Sequence, residues 1–158
     1  MNDSHPAPSL TMDLATPADL PAIIGIYAED ATGGHGDHWS EARAPKYREV
    51  MDRLIANPDY ELYVVRVDGQ TIGTFLLHFV ETLVGHGGRS CVLHSVSIAA
   101  AARGKGAGAA ILRFCEGRAR AFGARKLSLT SGNQRVDAHR FYRREGYLET
   151  HRAFARPV

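Results

Sequence analysis

One short stretch of this chain carries the clearest chemical signal: Arg103-Gly104-Lys105-Gly106-Ala107-Gly108. Glycines let a backbone turn tightly and come close to a ligand. The stretch lies between an apolar run, Cys91 to Ile98, and a helical pattern that ends near Phe122. The start of such a helix offers unpaired N–H groups and the positive end of its dipole. Together these make an anion site that suits a pyrophosphate. Three phosphate binders use loops of this kind. The P-loop pattern G-x-x-x-x-G-K-[ST] is absent. The dinucleotide pattern G-x-G-x-x-[GA] is formally met by Gly104, Gly106 and Ala109. That fold, however, wants an acid at the end of the next strand, which here ends at Leu129-Thr130, and it opens on the loop rather than on a hairpin. Coenzyme A is the third option.

The elements that must hold this loop follow from periodicity. Leu10 to Ala15 reads as a strand. Thr16-Pro17-Ala18-Asp19 combines a hydroxyl cap, a proline and an acid, and opens a helix whose apolar stripe is Leu20, Ile23, Ile24 and Tyr27. Residues 29–44 are rich in glycine and histidine and lack a period, which predicts a loop. A second helix carries Tyr47, Val50, Met51, Leu54 and Ile55 on one face and ends at Asn57-Pro58-Asp59. Strands over 61–67 and 71–80 flank an Asp68-Gly69 hairpin turn. A strand over 91–98, the glycine loop, a helix closed by Gly123, and a short strand over 126–130 follow. A helix over 136–145 closed by Gly146 and a last strand over 147–154 complete the chain. The order β-α-α-β-β-β-α-β-α-β implies an α/β (α+β) fold, a mixed, mostly antiparallel sheet of six to seven strands with about four helices on its faces.

Composition bounds the rest. At 158 residues the chain reads as one domain over 10–158 behind a flexible tail at 1–9. A formal charge of +2 is too small to point to nucleic acid. No apolar run reaches the roughly 20 residues of a membrane helix. The N-terminus lacks the basic start and apolar stretch of a signal peptide. Cys91 and Cys115 sit in apolar stretches and make neither a disulfide framework nor a zinc site, so the cytoplasm is the expected compartment.

The loop resembles the acetyl-CoA loop of the GNAT acetyltransferase family, [RQ]-x-x-G-x-[GA], which Arg103, Gly106 and Gly108 match. A second family pattern, A-x-x-[FL]-Y-x-x-x-G-[FY], is matched by Ala138, Phe141, Tyr142, Gly146 and Tyr147. The element order is similar from about residue 10 to 155. One departure stands out. The family often has an asparagine seven residues before the helix tyrosine; here that position is Arg135, and Asn133 lies two residues earlier.

The resemblance implies acetyl transfer from acetyl-CoA to a primary amine of a small molecule or protein. It implies a pyrophosphate on the backbone of Arg103, Gly104, Lys105, Gly106, Ala107, Gly108 and Ala109, with Asn133 and Arg135 near the coenzyme. The pantetheine arm would run along the backbone of Val96 and Ile98, with an N–H near Ile98 supporting the oxyanion. Tyr142 would be the general acid for the departing thiolate. For the base, His94 on the strand entering the loop is one candidate, read as sharing a face with Val96 and Ile98, and Glu81 is the other. Glu29, Asp30, His35, His38 and Trp39, in the first long loop, would select the amine. His35 and His38 have H-x-x-H spacing, but no helix or further cysteine supports a metal. Either cysteine would be needed for a ping-pong route, and neither has an activating partner, so direct transfer is expected. A homodimer is common for this fold. Two other readings compete: a non-catalytic acyl-CoA-binding module of the same fold, and a nucleotide-binding domain.

Overall fold

In the computed structural model, residues 9–30 and 36–158 are described. The expected tail, apart from Ser9, and His35 lie outside them. The elements are β1 (Leu10–Leu14), α1 (Leu20–Ala28), α2 (Ala44–Ala56), β2 (Tyr60–Val67), β3 (Gln70–Thr82), a four-residue turn α3 (Val84–Gly87), β4 (Gly88–Ile98), α4 (Ala107–Phe122), β5 (Leu127–Leu129) and α5 (Val136–Arg144).

Local signals explain most of the boundaries. Asp19 Oδ2 accepts the Thr16 N–H at 2.8 Å and the Thr16 hydroxyl at 3.1 Å, closing the first turn as a 3-10 helix over Pro17–Asp19. Asp68 and Gly69 adopt φ of 50° and 80°, the left-handed pair that a two-residue hairpin requires. Gly123, at φ 78°, ends α4.

The five strands form one sheet in the order β1-β2-β3-β4-β5. The first three pairings are antiparallel and β4–β5 is parallel. One face carries Phe75, Leu77, Cys91 and Leu93 against Ile111, Leu112 and Cys115 of α4. The other carries Val64 against Ile23 and Ile24 of α1 and Met51 of α2. The expected six to seven strands and four helices are thus corrected to five strands and five helices. The strand expected at 147–154 does not form, because no neighbouring edge within the chain pairs with it. The extra helix is the α3 turn, where Gly85 and His86 have left-handed φ.

Candidate active site

The site begins with an irregularity in β4. Thr74 pairs with Ser97 and Leu76 with His94, so Ser95 and Val96 together face Phe75. This is a β-bulge, and Ser95 holds φ of 53°, uncommon for a residue with a side chain. The extra residue re-aims everything after it. Leu93, Val96 and Ile98 all pack on the α4 side. His94 therefore points to the α1 side, where its ring lies 6.0 Å from that of His78. The expectation that His94 shares a face with Val96 and Ile98 is corrected: period-two counting fails across a bulge.

β5 then leaves the sheet. It pairs with β4 only through Cys91, Val92 and Leu93, so residues 94–98 have no strand on that side. The Ala99 N–H bonds Ile72 O at 2.8 Å, toward β3. By strand alternation, Ile98 and Val96 turn their backbone groups into the gap, where Ile98 O accepts Arg103 Nε at 2.9 Å. Two adjoining hollows fill this gap, of about 460 and 750 Å³. Asp30, Val96, Ser97, Arg135, Ala138 and Tyr142 line both.

The larger hollow is bordered by the glycine loop. Arg103, Gly104, Gly106, Gly108 and Ala109 line it, together with Ile98 and Phe141. Gly104 and Gly106 have φ of 75° and 85°, and a Cβ on either would meet only open space. Among the described residues, Ala110 is the first after Arg103 whose N–H finds a backbone acceptor, Gly106 O at 3.1 Å. The intervening N–H groups at the head of α4 are left for an anion, which is what a coenzyme diphosphate requires. Gly108 has a different reason: a Cβ there would sit 3.0 Å from Phe141 Cζ, so it lets α5 approach α4. Lys105 is exposed, Ala107 is buried, and Asn133 is exposed on the turn before α5; none of the three lines either hollow. Arg135 does line them, so the position seven residues before Tyr142 turns a guanidinium toward the hollows.

The smaller hollow holds Tyr27, Asp37, His94, Ser95, Thr130 and Ser131. Burial raises the Tyr27 phenol pKa, opposed by hydrogen bonds with the Thr74 and Ser95 hydroxyls. Asp37 accepts the Tyr47 hydroxyl at 2.9 Å. Burial, and then the nearby His78, holds the His94 imidazole below its ordinary value, so it is neutral at pH 7. Burial raises the Tyr142 phenol, with the Arg135 cation opposing, so it stays protonated and able to donate. Arg135 also pairs with Asp30, a contact 105 residues long in sequence that joins the first loop to the head of α5 where the hollows meet.

Several expected residues lie elsewhere. Glu81 sits five positions along β3 from the Leu76–His94 rung, about 17 Å away. It is exposed and bonds Arg89 Nε at 2.7 Å, at the end of the sheet away from the gap. Glu29 accepts the Ala100 N–H at 2.6 Å, bracing the entry to the glycine loop rather than lining a hollow. His38 is exposed and contacts Gly36 O. Trp39 packs into the α1–α2 cluster and stacks on Tyr47. No group of metal-ligating side chains occurs among the described residues. Sequence reasoning passed over Tyr27, which reads as part of an apolar stripe, and Asp37, which is one polar residue in an aperiodic loop.

Residues 21–147 match the sequence model of the acetyltransferase (GNAT) family. The chain belongs to the GNAT acetyltransferases. It is an N-acetyltransferase, and acetyl-CoA is the family's acyl donor. An aminoalkylphosphonate N-acetyltransferase of Salmonella typhimurium is 29% identical over 115 residues, covering 71% of this chain and 74% of the relative. A crystal structure described as a transcriptional regulator from Bacillus halodurans C-125 aligns with a TM-score of 0.89 at 25% identity, covering 95% of this chain and all of the other. Glucosamine-6-phosphate N-acetyltransferase from Arabidopsis thaliana shares the fold, with a TM-score of 0.76 at 14% identity over 94% of this GNAT chain and 98% of its own.

Proposed function

We propose that this GNAT enzyme transfers acetyl directly to the primary amine of a small cationic molecule, with Tyr142 as general acid and His94 accepting the ammonium proton, directly or through water. The observation that carries the reading is the position of Tyr142, which lines both hollows where they meet. Acetyl-CoA, when bound, supplies a thioester carbonyl activated toward an amine. The residues of the glycine loop and the gap-facing backbone of Val96 and Ile98 would hold and orient it. The carbonyl oxygen would then lie near the gap-facing N–H groups of Val96 and Ile98, which the early end of β5 leaves without a strand partner and which support developing negative charge. The buried phenol of Tyr142 would deliver a proton to the departing sulfur.

The acceptor would enter the smaller hollow. Its acids come from the first loop, Asp30 and Asp37, and Arg135 is already paired with Asp30. The surplus carboxylate favours a cationic amine. Direct transfer is supported by the cysteines. Both are fully buried. Burial, followed by the charge of Glu61, raises the Cys91 thiol to about 11, and burial raises Cys115 further, so neither offers a thiolate.

A thiol-release assay across amines, with Tyr142→Phe as control, tests the proposal. Wild type should turn over at least one small amine. The variant should lose roughly 10²–10⁴-fold in kcat, as general-acid catalysis predicts, while its calorimetric affinity for acetyl-CoA holds. Equal turnover by the variant would remove Tyr142 from the chemistry. Coenzyme binding without turnover of any amine would favour the acyl-CoA-binding module.

A further inference from the structure

The bulge in β4 has a second effect. His94 and Ser95 are adjacent in sequence, so on a regular strand they would face opposite sides of the sheet. Here both turn to the α1 side, His94 toward His78 and Ser95 to the Tyr27 phenol. Both line the smaller hollow, and neither lines the larger one. The transfer chemistry uses His94 and leaves Ser95 without a role. Yet Ser95 holds φ of 53°, a conformation that residues with a side chain seldom adopt.

Proton counting fixes the direction of the hydroxyls on this face. Thr74 is fully buried, and its hydroxyl donates to the Tyr63 carbonyl oxygen at 2.8 Å. A hydroxyl has one proton to give. Thr74 Oγ1 can therefore only accept from the Tyr27 phenol that bonds it. With its own proton used there, Tyr27 Oη can only accept from Ser95. The chain thus runs one way, from Ser95 to Tyr27 to Thr74 to the backbone of β2. A carbonyl oxygen cannot donate, so the far end holds this direction. Ser95 spends its proton inward, and its oxygen meets the smaller hollow as an acceptor.

We propose that Ser95 Oγ accepts an N–H of the attacking amine, and that Tyr27 is the positioning residue that keeps it an acceptor. The inference rests on direct acetyl transfer to an amine in that hollow, and it names the group that selects the class of amine. When the nitrogen of a primary amine has bonded the thioester carbon, it carries positive charge and two N–H groups. One proton goes to His94 as the C–S bond breaks and Tyr142 protonates the sulfur; the other stays in the amide product. His94 and Ser95, side by side on the wall, take these two N–H groups. A secondary amine has one N–H at that stage and turns a carbon against Ser95 Oγ, which leaves that oxygen without a donor. The N–H gains charge as the C–N bond forms, so the bond to Ser95 strengthens in the transition state. Its loss therefore falls on kcat more than on KM.

Thiol release from acetyl-CoA by the full chain tests this on matched pairs, each primary amine of the screen beside its N-methyl counterpart, ethanolamine and benzylamine among them. Wild type should favour the primary amine. Ser95→Gly removes the hydroxyl but suits φ of 53°, so the fold should hold. Its kcat on the primary amine should fall roughly tenfold or more, with KM and calorimetric acetyl-CoA affinity little changed. Its preference over the N-methyl amine should shrink by a similar factor, which a structural role alone would not bring about. Tyr27→Phe should shrink the same preference, because the released Ser95 hydroxyl can turn its proton into the hollow. In the Ser95→Gly background it should change nothing further. A Ser95→Gly enzyme with wild-type kcat and preference would overturn the inference and leave the acetyl-transfer reading standing. So would a Tyr27→Phe effect that persists without Ser95, since Tyr27 would then be the contact. A wild type that acetylates no amine of the screen would overturn both.

Discussion

Replacing Gly108 with alanine sets two opposed effects against each other. Gly108 is the second residue of α4, with an ordinary helical φ, so alanine should gain about 1 kcal/mol of helix propensity there. Against this, the new Cβ would lie 3.0 Å from Phe141 Cζ and 3.5 and 3.6 Å from its Cε atoms. Comfortable carbon contacts begin near 3.5 Å, so the ring must retreat by roughly half an ångström. Overpacking of this kind costs about 1–3 kcal/mol. The net expectation is a loss of about 0–2 kcal/mol, or a fall in Tm of about 0–8 °C for a domain of this size. The functional effect should be sharper. Phe141 is bonded in sequence to Tyr142, and their rings are 5.3 Å apart. A 1 Å misplacement of a reacting group costs about 10²-fold, so half that shift should lower kcat about tenfold, or about 1.4 kcal/mol in the barrier. Alanine keeps its N–H, so acetyl-CoA affinity should stay within about threefold, well short of the tenfold weakening that a loss of about 1.4 kcal/mol in binding would bring. Adding Phe141→Leu should restore part of the lost rate, a coupling that independent sites would lack. Thermal denaturation and thiol release on the two single variants and the double variant decide the matter. A more stable Gly108→Ala enzyme with unchanged kcat and no coupling to Phe141 would refute the argument that this glycine exists to seat α5.

The Asp30–Arg135 pair is less than one-third exposed on each side, so Asp30→Asn or Arg135→Gln should cost about 1 kcal/mol in binding, a roughly fivefold rise in KM. The double variant should cost less than the sum; additive effects in steady-state kinetics would show that the residues act separately. For His94, burial places its folded-state value below the unfolded one, near 6.5. As pH falls through 6.5 the unfolded chain takes up the proton first, so stability should fall there, and His94→Asn should flatten that fall in thermal denaturation scans. The same substitution should remove the acid limb of the kcat/KM profile, which in wild type lies below pH 6.5; a limb unchanged in the variant would pass the base role to another group.

What the sequence determined by itself is local. Left-handed φ at Gly104, Gly106, Gly123 and the Asp68-Gly69 turn, the reciprocal cap between Thr16 and Asp19, and the unpaired N–H groups at the head of α4 each follow from a few adjacent residues. For that reason the anion loop, the hairpin and the tyrosine helix are legible in the residues alone. The tertiary structure decided what depends on register and on packing between distant segments. The bulge at Ser95 turned His94 to the α1 face. The early departure of β5 opened the gap beside Val96 and Ile98. Sheet register carried Glu81 to the far end, and Asp30 reached Arg135 across the fold. A strand also needs a neighbour, which is why residues 147–154 read as one in sequence and stand unpaired in the single chain. Backbone preferences are set within a turn or two, whereas strand pairing and side-chain convergence are set only when remote segments meet.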